Sequence, residues 1–491
     1  MIQIQTPPLF AHQDEDIDAA VARGSLGLFP YDCGTGKTAT MLNVIQRLGG
    51  PALVVCPISI IETAWLADAA TFTPSLRVVS LRATTPKQRL ARLRAARHAD
   101  VMIVNYAGFR ILWSSHRQWL LDCKVNVLVV DESSKLKSPR SQITKALLAF
   151  GLGDGRGAPG VPHRFPMSGT PAPNALHEYW AQCRLVSPTV FDSNHFRFMR
   201  QWFLPVVSDP SNPRIVWRWG MRKGDREEFL SKVASVSVAR RKEDCTDLPE
   251  EIDVTRHATM EPSQRAAYKA MLDTFVAEFD TGAPLRSGVA MAPNTLARLM
   301  KLRQITAGCI APLDGVMQWR WNAKLNVLGE LLDELGRERA VIWTQFRVEA
   351  AAVMAMLAER AQRAERYTGD TWWTARLDGT VKQADRVTGI LSFQSESLDG
   401  EARYMVAHPA SAGHGLTLTG ACNAIYLSLS YSLEGYWQSR ARLHRIGQTR
   451  PVTNHHVLVP DTIDEVIYKA LRGKADMAEA ALRFVIERRG Q

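Results

Sequence analysis

Two blocks in which short apolar runs alternate with longer helical patterns constrain this chain more than any other feature. In the first block, β-branched runs occur at Ala52–Cys56, Val101–Asn105, Val125–Val130 and a segment leading to Met167. In the second block they occur at Ala340–Thr344, Ala375–Asp378, Arg403–Ala407, Ala424–Leu429 and Thr453–Val459. Strands that alternate with helices form open, largely parallel sheets. The sequence therefore predicts an α/β fold with two such sheets.

The domain organisation follows from the length and from two interruptions of this alternation. A chain of 491 residues is too long for one hydrophobic core, so two or three domains are expected. We predict an N-terminal lobe over 1–248, a C-terminal lobe over 249–475 and a helical tail over 476–491. The alternation is missing at about 188–232 and about 261–310, which we interpret as helical insertions, the first with a hairpin.

Composition limits the classes of function. No apolar run is long enough to span a membrane, and the N-terminus lacks the features of a signal peptide, so we expect a cytoplasmic protein without a membrane partner. The seven cysteines include no C-x-x-C pair, which favours reduced thiols over disulfides or a zinc site. The net charge of +11 favours a polyanionic partner, although a merely solvated basic surface would give the same charge.

A glycine-rich segment, YDCGTGKT (Tyr31–Thr38), precedes a helical pattern. Backbone N–H groups of such a loop cradle phosphates, Lys37 adds a positive charge, and the Thr38 hydroxyl can ligate Mg²⁺. Tyr31 stands where the strict pattern has its first glycine, so a plain glycine-rich turn is the alternative. The predicted phosphate-binding set is Gly34, Thr35, Gly36, Lys37 and Thr38.

An acidic pair, Asp131 and Glu132, directly follows the apolar run VNVLVV. In an ATPase, the first carboxylate at this place binds Mg²⁺ and the second activates water. Taken alone, an acidic pair that follows a strand would usually cap a helix. Together with Lys37 and Thr38, the pair predicts a site that hydrolyses ATP with Mg²⁺.

Near the other end of the chain, QSRARLHRIGQTRP (Gln438–Pro451) carries two arginines, Arg442 and Arg445, one helical turn apart. At this spacing they are expected on one helix face. Guanidinium groups neutralise the charge that develops on a γ-phosphate. Hydrolysis is therefore expected to require this segment to approach the phosphate loop.

The chain resembles helicase superfamily two, and within it the Swi/Snf-type DNA-translocating ATPases, because the family's motifs occur in the family's order. HRIGQ (His444–Gln448) is that family's version of motif VI. The other matching strings are LFAHQ, LVVCPISIIETAW, VNYAGF, DESSKLKS, SGTPAPNALHEYW, ARRKEDCTDLP, VIWTQF, RLDGTVKQADR and ASAGHGLTLTGA. The resemblance implies two RecA-like lobes that use ATP and Mg²⁺.

The resemblance also implies roles for individual residues. Gln13 would contact the adenine base, and Gly415 and Gln438 would belong to the nucleotide-binding set. The segments Leu53–Trp65 and Val104–Phe109 would face nucleic acid. The implied catalytic residues are Lys37, Asp131, Glu132, Arg442 and Arg445.

The implied function is ATP-driven translocation along, or remodelling of, double-stranded DNA, largely independent of base sequence. A compact bacterial or phage-like member would work in the bacterial or infected host cytoplasm, with replication, recombination or repair proteins as expected partners. A strand-separating, fork-reversing or annealing helicase is one alternative. A nucleotide-gated clamp that holds DNA without turnover is another.

The sequence departs from the family pattern at two motifs. Ser133 and Ser134 replace the usual alanine and histidine of motif II, so the hydrogen bond from that histidine must be replaced or lost. His414 and Thr417 replace a glycine and an asparagine in motif V. Neither departure removes a catalytic group, and both bear on the coupling of hydrolysis to movement.

Overall fold

The computed structural model describes residues 6–32, 34–207, 216–245, 247–280, 299–310, 317–395, 401–410 and 416–473. The chain divides into two compact units. The first contains the described residues up to Asp247, and the second extends from Leu248 to Gly473. The predicted tail over 476–491 lies outside the described residues.

The first unit is built on a seven-stranded parallel sheet with the order β3-β4-β2-β5-β6-β1-β9. Two further strands, β7 and β8, pair antiparallel as a separate hairpin. The strands are β1 (Gly27–Tyr31), β2 (Ala52–Cys56), β3 (Val78–Ser80), β4 (Val101–Asn105), β5 (Val127–Asp131), β6 (His163–Met167), β7 (Phe203–Val207), β8 (Val216–Met221) and β9 (Ser237–Arg240).

Helices cover both faces of this sheet. Along β2, Leu53 and Val55 belong to one buried cluster, whereas Val54 and Cys56 belong to the other, so both faces are packed. The α-helices are α1 (Ala11–Arg23), α2 (Lys37–Leu48), α3 (Ala67–Phe72), α4 (Pro86–Ala95), α5 (Tyr106–Ser115), α6 (Arg117–Asp122), α7 (Gln142–Leu152), α8 (Tyr179–Val186), α9 (His195–Trp202), α10 (Arg226–Ser235) and α11 (Lys242–Cys245). A π-helical turn, Ile61–Leu66, precedes α3, and a 3₁₀ turn, Ser133–Leu136, follows β5.

The second unit contains a six-stranded parallel sheet with the order β10-β17-β16-β13-β15-β14. Its strands are β10 (Glu251–His257), β11 (Cys309–Ile310), β12 (Gln318–Trp319), β13 (Ala340–Trp343), β14 (Thr371–Leu377), β15 (Glu401–Ala407), β16 (Asn423–Tyr426) and β17 (Val452–Leu458); β11 and β12 form a separate antiparallel pair. The helices are α12 (Pro262–Asp280), α13 (299–306), α14 (Ala323–Leu335), α15 (Arg347–Tyr367), α16 (Gln383–Gln394), α17 (Leu433–Leu443) and α18 (463–473).

The predicted α/β class with two parallel sheets is confirmed, and every predicted strand occurs within a few residues of its expected bounds. In the two large sheets, four described strands were not predicted: β1, β3, β9 and β10. β1 contains Pro30, which has no backbone N–H to donate to a neighbouring strand and is therefore unusual inside a sheet. The pairing of β1 with β9 shifts register between Leu28 and Tyr31. β10 was not recognised because its side chains are mostly polar and its burial is partial.

The stretch at about 188–232 holds α9, the start of α10 and the indicated hairpin, in which Phe203 pairs with Met221. An aromatic cluster centred on Phe229 packs within this stretch, and the Phe229 ring also lies 6.5 Å from that of Tyr179 on α8, outside it. The ring centroids of Phe191 and Trp202 lie 5.0 Å and 5.5 Å from that of Phe229. The stretch at about 261–310 contains α12, α13 and β11, and its residues 281–298 lie outside the described part.

Candidate functional site

The glycine-rich loop joins the carboxyl end of β1 to α2, which begins at Lys37. Gly36 is the N-cap residue with φ of 82°, and Gly34 has φ of 90°, both in the left-handed region. A Cβ atom at Gly36 would lie 2.3 Å from Gln13 Nε2, so a larger residue does not fit. The loop therefore leads directly into a helix N-terminus, whose unpaired N–H groups and partial positive charge suit a phosphate.

Lys37 extends back over the loop. Its ammonium group donates to the carbonyl oxygens of Tyr31 (2.8 Å) and Asp32 (3.0 Å). Both hydrogen-bond acceptors are neutral carbonyls, and the positive charge of Lys37 suits an anion. The next residue, Thr38, is partly exposed.

Helix α1 holds the loop in this shape. His12 Nε2 is hydrogen-bonded to the Thr35 carbonyl (3.0 Å), and Gln13 Nε2 donates to the Gly36 carbonyl (3.0 Å). Gln13 Oε1 accepts from the backbone N–H of Phe10 (2.9 Å). The structure thus places Gln13 against the phosphate loop, and its contact with adenine stays a prediction. His12 was not among the predicted site residues, although its position directly before Gln13 could have indicated it.

A buried ion pair fixes α1 in turn. Arg240 donates to Asp16 (2.9 Å and 2.8 Å) and to Glu15 (2.7 Å), and the Tyr31 hydroxyl also donates to Asp16 (3.0 Å). Asp16 is almost fully buried. Residues from α1, β1 and β9 therefore form one network beside the loop, which no local pattern in the sequence indicated.

The acidic pair lies at the carboxyl end of β5. Asp131 and Glu132 are both buried, with 4% and 6% of their surface exposed. Glu132 is at the N-cap of the 3₁₀ turn, yet its side chain makes no capping hydrogen bond, so the helix-cap alternative is not supported. Trp65 Nε1 donates to Asp131 Oδ2 (2.9 Å), and the Tyr106 hydroxyl donates to the carbonyls of Asp131 (2.7 Å) and Glu132 (3.0 Å).

The strand order brings the loop and the acidic pair to one edge of the first sheet. Strand β6 lies between β1 and β5, and Met167 is the register partner of both Leu28 and Asp131. The backbone N–H of Tyr31 donates to the carbonyl of Ser168, the first residue after β6 (3.1 Å). Ligands of parallel sheets bind at this carboxyl edge. The edge thus combines Gly34, Thr35, Gly36, Lys37, Thr38, Asp131 and Glu132.

Ser133 makes a connection between motif II and motif III. Its hydroxyl donates to Gln182 Oε1 (2.7 Å), and Gln182 Nε2 donates to the carbonyl of Pro171 (2.7 Å), which lies in SGTP. A side-chain link between the two motifs is therefore present without the usual histidine. The Ser134 hydroxyl is buried and has no hydrogen-bond partner among the described residues.

In the second unit, Arg442 and Arg445 meet on one backbone carbonyl. Nη1 of Arg442 and Nη1 of Arg445 donate to the Leu416 oxygen at 3.1 Å and 3.0 Å. The expectation that both lie on one helix face is wrong, because α17 ends at Leu443 and the backbone leaves helical geometry at His444. Arg445 lies in the following turn, and the bend returns its side chain to Arg442.

Gln438 lies one helical turn before Arg442 on α17, is mostly buried, and is 3.4 Å from Glu434 Oε1 through its Nε2 atom. The predicted Gly415, like His414, lies outside the described residues.

The HRIGQ segment fastens the arginine pair in place. His444 Nε2 is hydrogen-bonded to the Pro249 carbonyl (2.7 Å), and Gln448 Nε2 donates to the carbonyls of Thr419 (3.2 Å) and Ala421 (2.9 Å). These contacts hold the end of α17 against residues 416–421. The Leu416 carbonyl in this range accepts the hydrogen bonds of both arginines.

Arg440 adds a second attachment that the sequence reasoning did not find. Its guanidinium donates to Glu251 (2.8 Å) and Asp253 (3.1 Å) on β10. Burial raises the pKa of Glu251. The charge and hydrogen bond of the Arg440 guanidinium act in the opposite direction, and the resulting pKa lies below the usual value. Helix α17 is thereby anchored to the edge strand of the sheet.

The donor set of the first unit fits Mg²⁺ with a nucleotide. The Thr38 hydroxyl and the Asp131 carboxylate are hard oxygen donors, and Mg²⁺ takes its remaining ligands from phosphates and water. In the described ranges, no group of three or more His, Cys, Asp or Glu side chains is placed to hold a metal by itself.

The six cysteines among the described residues form no disulfide. No described helix is both long and apolar enough to cross a membrane.

Two family models match this chain. Residues 18–309 match the SNF2-related domain, and residues 323–447 match the helicase conserved C-terminal domain. The chain is 24% identical to the Danio rerio chromodomain-helicase-DNA-binding protein 1-like, over 92% of this chain but 41% of that protein. It therefore spans less than half of that relative. It is also 24% identical to the putative protein p41 of Acyrthosiphon pisum secondary endosymbiont phage 1, over 91% and 92% of the two chains.

A solved structure with a similar chain is the Sulfolobus solfataricus SWI2/SNF2 ATPase core in complex with dsDNA. It has a TM-score of 0.42 and 21% sequence identity, and the alignment covers 98% of this chain and 95% of that one. Because the SNF2-related model matches more than half of the residues, the family assignment rests on it. The chain belongs to the SNF2-related family and carries a helicase conserved C-terminal domain after its SNF2-related domain.

Proposed function

We propose that this protein is an ATP-driven motor that moves along double-stranded DNA without separating its strands. The observation that supports it most is the convergence of three groups at one edge of the first sheet. These are the phosphate loop, the acidic pair and the segments that follow β2 and β4. The last two segments are those for which the family resemblance implies contact with nucleic acid.

In the proposed reaction, Lys37 and the N-terminal N–H groups of α2 hold the β- and γ-phosphates. Thr38 and Asp131 hold Mg²⁺, which supplies positive charge to the phosphate oxygens when bound. Glu132 orients the attacking water and accepts its proton. Arg442 and Arg445 would supply positive charge to the transition state.

The position of the arginines supports this division of labour. Arg442 and Arg445 both donate to the carbonyl of Leu416, so two positively charged groups lie next to each other, as neutralisation of a phosphate charge would need. Alternation of ATP binding and hydrolysis would then change the grip on DNA and advance the protein. Because the contacts are with phosphates, binding is expected to depend little on base sequence.

The decisive experiment measures ATP hydrolysis with duplex, single-stranded and forked DNA and with RNA, at several salt concentrations. We expect duplex DNA to stimulate turnover, and the logarithm of the affinity to fall linearly with the logarithm of the salt concentration. In parallel, we expect ATP-dependent displacement of the third strand from a triplex, with the duplex left intact.

The Glu132→Gln protein is the control in both assays, since it should bind DNA without displacing the third strand. Stimulation by single strands or RNA with inert duplex DNA would contradict the proposal. Displacement of a duplex strand would identify a strand-separating helicase instead. DNA binding without phosphate release by the unmodified protein would identify a clamp.

A further inference from the structure

Trp65 connects the segment after β2 to the acidic pair. It lies on the π-helical turn Ile61–Leu66, and its side chain is fully buried. Its indole N–H donates to Asp131 Oδ2 at 2.9 Å, across 66 residues of sequence. π-helical turns are rare and occur frequently at functional sites, where they change the direction in which a side chain points. An indole nitrogen can only donate, so this contact is specific for an acceptor.

Tyr106 makes a second connection, from the segment after β4. It is the first residue of α5, and its hydroxyl group is shared between the carbonyls of Asp131 (2.7 Å) and Glu132 (3.0 Å). Glu132 has φ of 54° and ψ of 53°, in the left-handed region. A residue other than glycine is strained in this region, so surrounding contacts must hold it. The Tyr106 hydroxyl is one such contact.

The sheet order makes these two connections direct. Strand β2 pairs with β4 on one side and with β5 on the other, so the three carboxyl ends are neighbours. Trp65 therefore acts on the carboxylate of Asp131, and Tyr106 acts on the backbone of the acidic pair. A small displacement of either segment would change the direction of Oδ2 or the backbone angle of Glu132.

We propose that Trp65 and Tyr106 are positioning residues that make the metal-binding and water-activating pair responsive to nucleic acid bound at the segments that carry them. The proposal rests on the proposed function of Asp131 and Glu132. Neither aromatic residue touches the reacting atoms in this account. Trp65 sets the metal-binding geometry, and Tyr106 sets the conformation that Glu132 needs when DNA is bound.

The test uses Trp65→Phe and Tyr106→Phe, which keep an aromatic ring and each remove one donor. Trp321→Phe and Tyr404→Phe are matched controls. Trp321 Nε1 donates to the Ser263 hydroxyl oxygen (2.9 Å), and the Tyr404 hydroxyl donates to the Gly336 carbonyl (2.9 Å), both within the second unit. For each full-length protein, the measurements are turnover against Mg²⁺ concentration, the ratio of DNA-stimulated to basal turnover, and the melting temperature.

We expect Trp65→Phe to raise the Mg²⁺ concentration for half-maximal turnover by about tenfold, the usual effect of removing a partner of a metal ligand. We expect Tyr106→Phe to lower the ratio of stimulated to basal turnover by a similar factor. The two controls should lower the melting temperature comparably and leave both activity measures unchanged. If one aromatic variant does not fold, the other still tests the proposal.

Wild-type Mg²⁺ dependence together with a wild-type stimulation ratio in the folded variants would overturn the proposal. Failure of the proposed function is a separate result, because it would appear as a wild-type protein that no duplex stimulates. The Mg²⁺ measurement on Trp65→Phe needs no DNA, so it tests the positioning role even then.

Discussion

At the scale of single residues, substitution of Lys37 and substitution of Glu132 are expected to impair different properties, ATP binding and turnover. Lys37→Ala removes the positive charge above the loop and two hydrogen bonds, so ATP binding should be lost. Glu132→Gln keeps the size of the side chain and the backbone contacts of Tyr106, so ATP binding should persist while turnover stops. Calorimetric ATP titration and phosphate release measure the two properties separately.

A suitable control is Lys145→Ala, because Lys145 is exposed on α7. It should bind and hydrolyse ATP normally. Near wild-type turnover by the Glu132→Gln protein would show that another group activates water.

The two arginines should also differ. Arg445→Ala is expected to lower kcat by about a thousandfold with little change in ATP affinity, because an arginine finger acts mainly on transition-state charge. Arg442 is 6% exposed, so Arg442→Ala should lower the melting temperature as well, through the lost contact with Leu416 and a small cavity. Single-turnover kinetics and thermal unfolding separate these effects.

The matched variants Arg445→Lys and Arg442→Lys keep the charge and lose the planar fork of donors. Partial recovery of kcat by Arg445→Lys would support an electrostatic role. Unchanged kcat in folded Arg445→Ala would remove this residue from the catalytic set.

At the scale of elements, α4 concentrates positive charge on the first unit. Thr85 caps the helix by accepting from the N–H of Gln88, Pro86 starts it, and Leu93 is its one buried residue. Between Asp68 and Asp100 the chain has no acidic residue. The lysine and arginine residues in that interval are Arg77, Arg82, Lys87, Arg89, Arg92, Arg94 and Arg97. Such an exposed basic helix suits a phosphate backbone.

We expect the combined change of Lys87, Arg92 and Arg94 to alanine to weaken duplex binding and to leave basal ATP hydrolysis unchanged. Each lost phosphate contact should reduce the slope of log affinity against log salt by about 0.9. The control exchanges lysine for arginine and arginine for lysine at these positions, which keeps the charge. Equal salt slopes for the alanine variant and the wild type would show that α4 does not contact DNA.

At the scale of the whole molecule, buried histidines should make the protein less stable in acid. Burial, with the charge of Arg440 as a second cause, lowers the pKa of His456 on β17 to about 3, and burial lowers the pKa of His455 to about 4. The unfolded chain has a histidine pKa near 6.5. Between these values the unfolded state binds more protons, so the free energy of unfolding falls as the pH falls from about 6.5 towards 4.

The variant His456→Phe tests this directly, because it keeps the ring stacked on Tyr426 and removes the titrating group. Its free energy of unfolding should depend less on pH between 4 and 6, by about 1.4 kcal/mol per pH unit. Chemical unfolding at a series of pH values measures the slope. A slope equal to that of the wild type would mean that His456 is protonated in the folded protein.

Local pattern was sufficient to find most strands and to predict which residues would carry the chemistry. β2 and β4 have the predicted bounds, because continuous β-branched runs are typical of strands buried on both faces. Local pattern did not predict β1, which contains a proline, or β10, whose side chains are mostly polar. Pairing with neighbouring strands stabilises both. Local pattern also failed at Arg445, because the end of α17 depends on His444 and its contact with Pro249.

The sequence by itself determined the α/β class, the two sheets and the chemical groups of the proposed ATP site, since these depend on residue type and short spacing. Tertiary structure alone decided which distant groups meet. It put Trp65 on the carboxylate of Asp131 and brought Arg442 and Arg445 to the carbonyl of Leu416. The physical reason is that such contacts depend on strand order and on the packing of the connecting segments, which no local periodicity encodes.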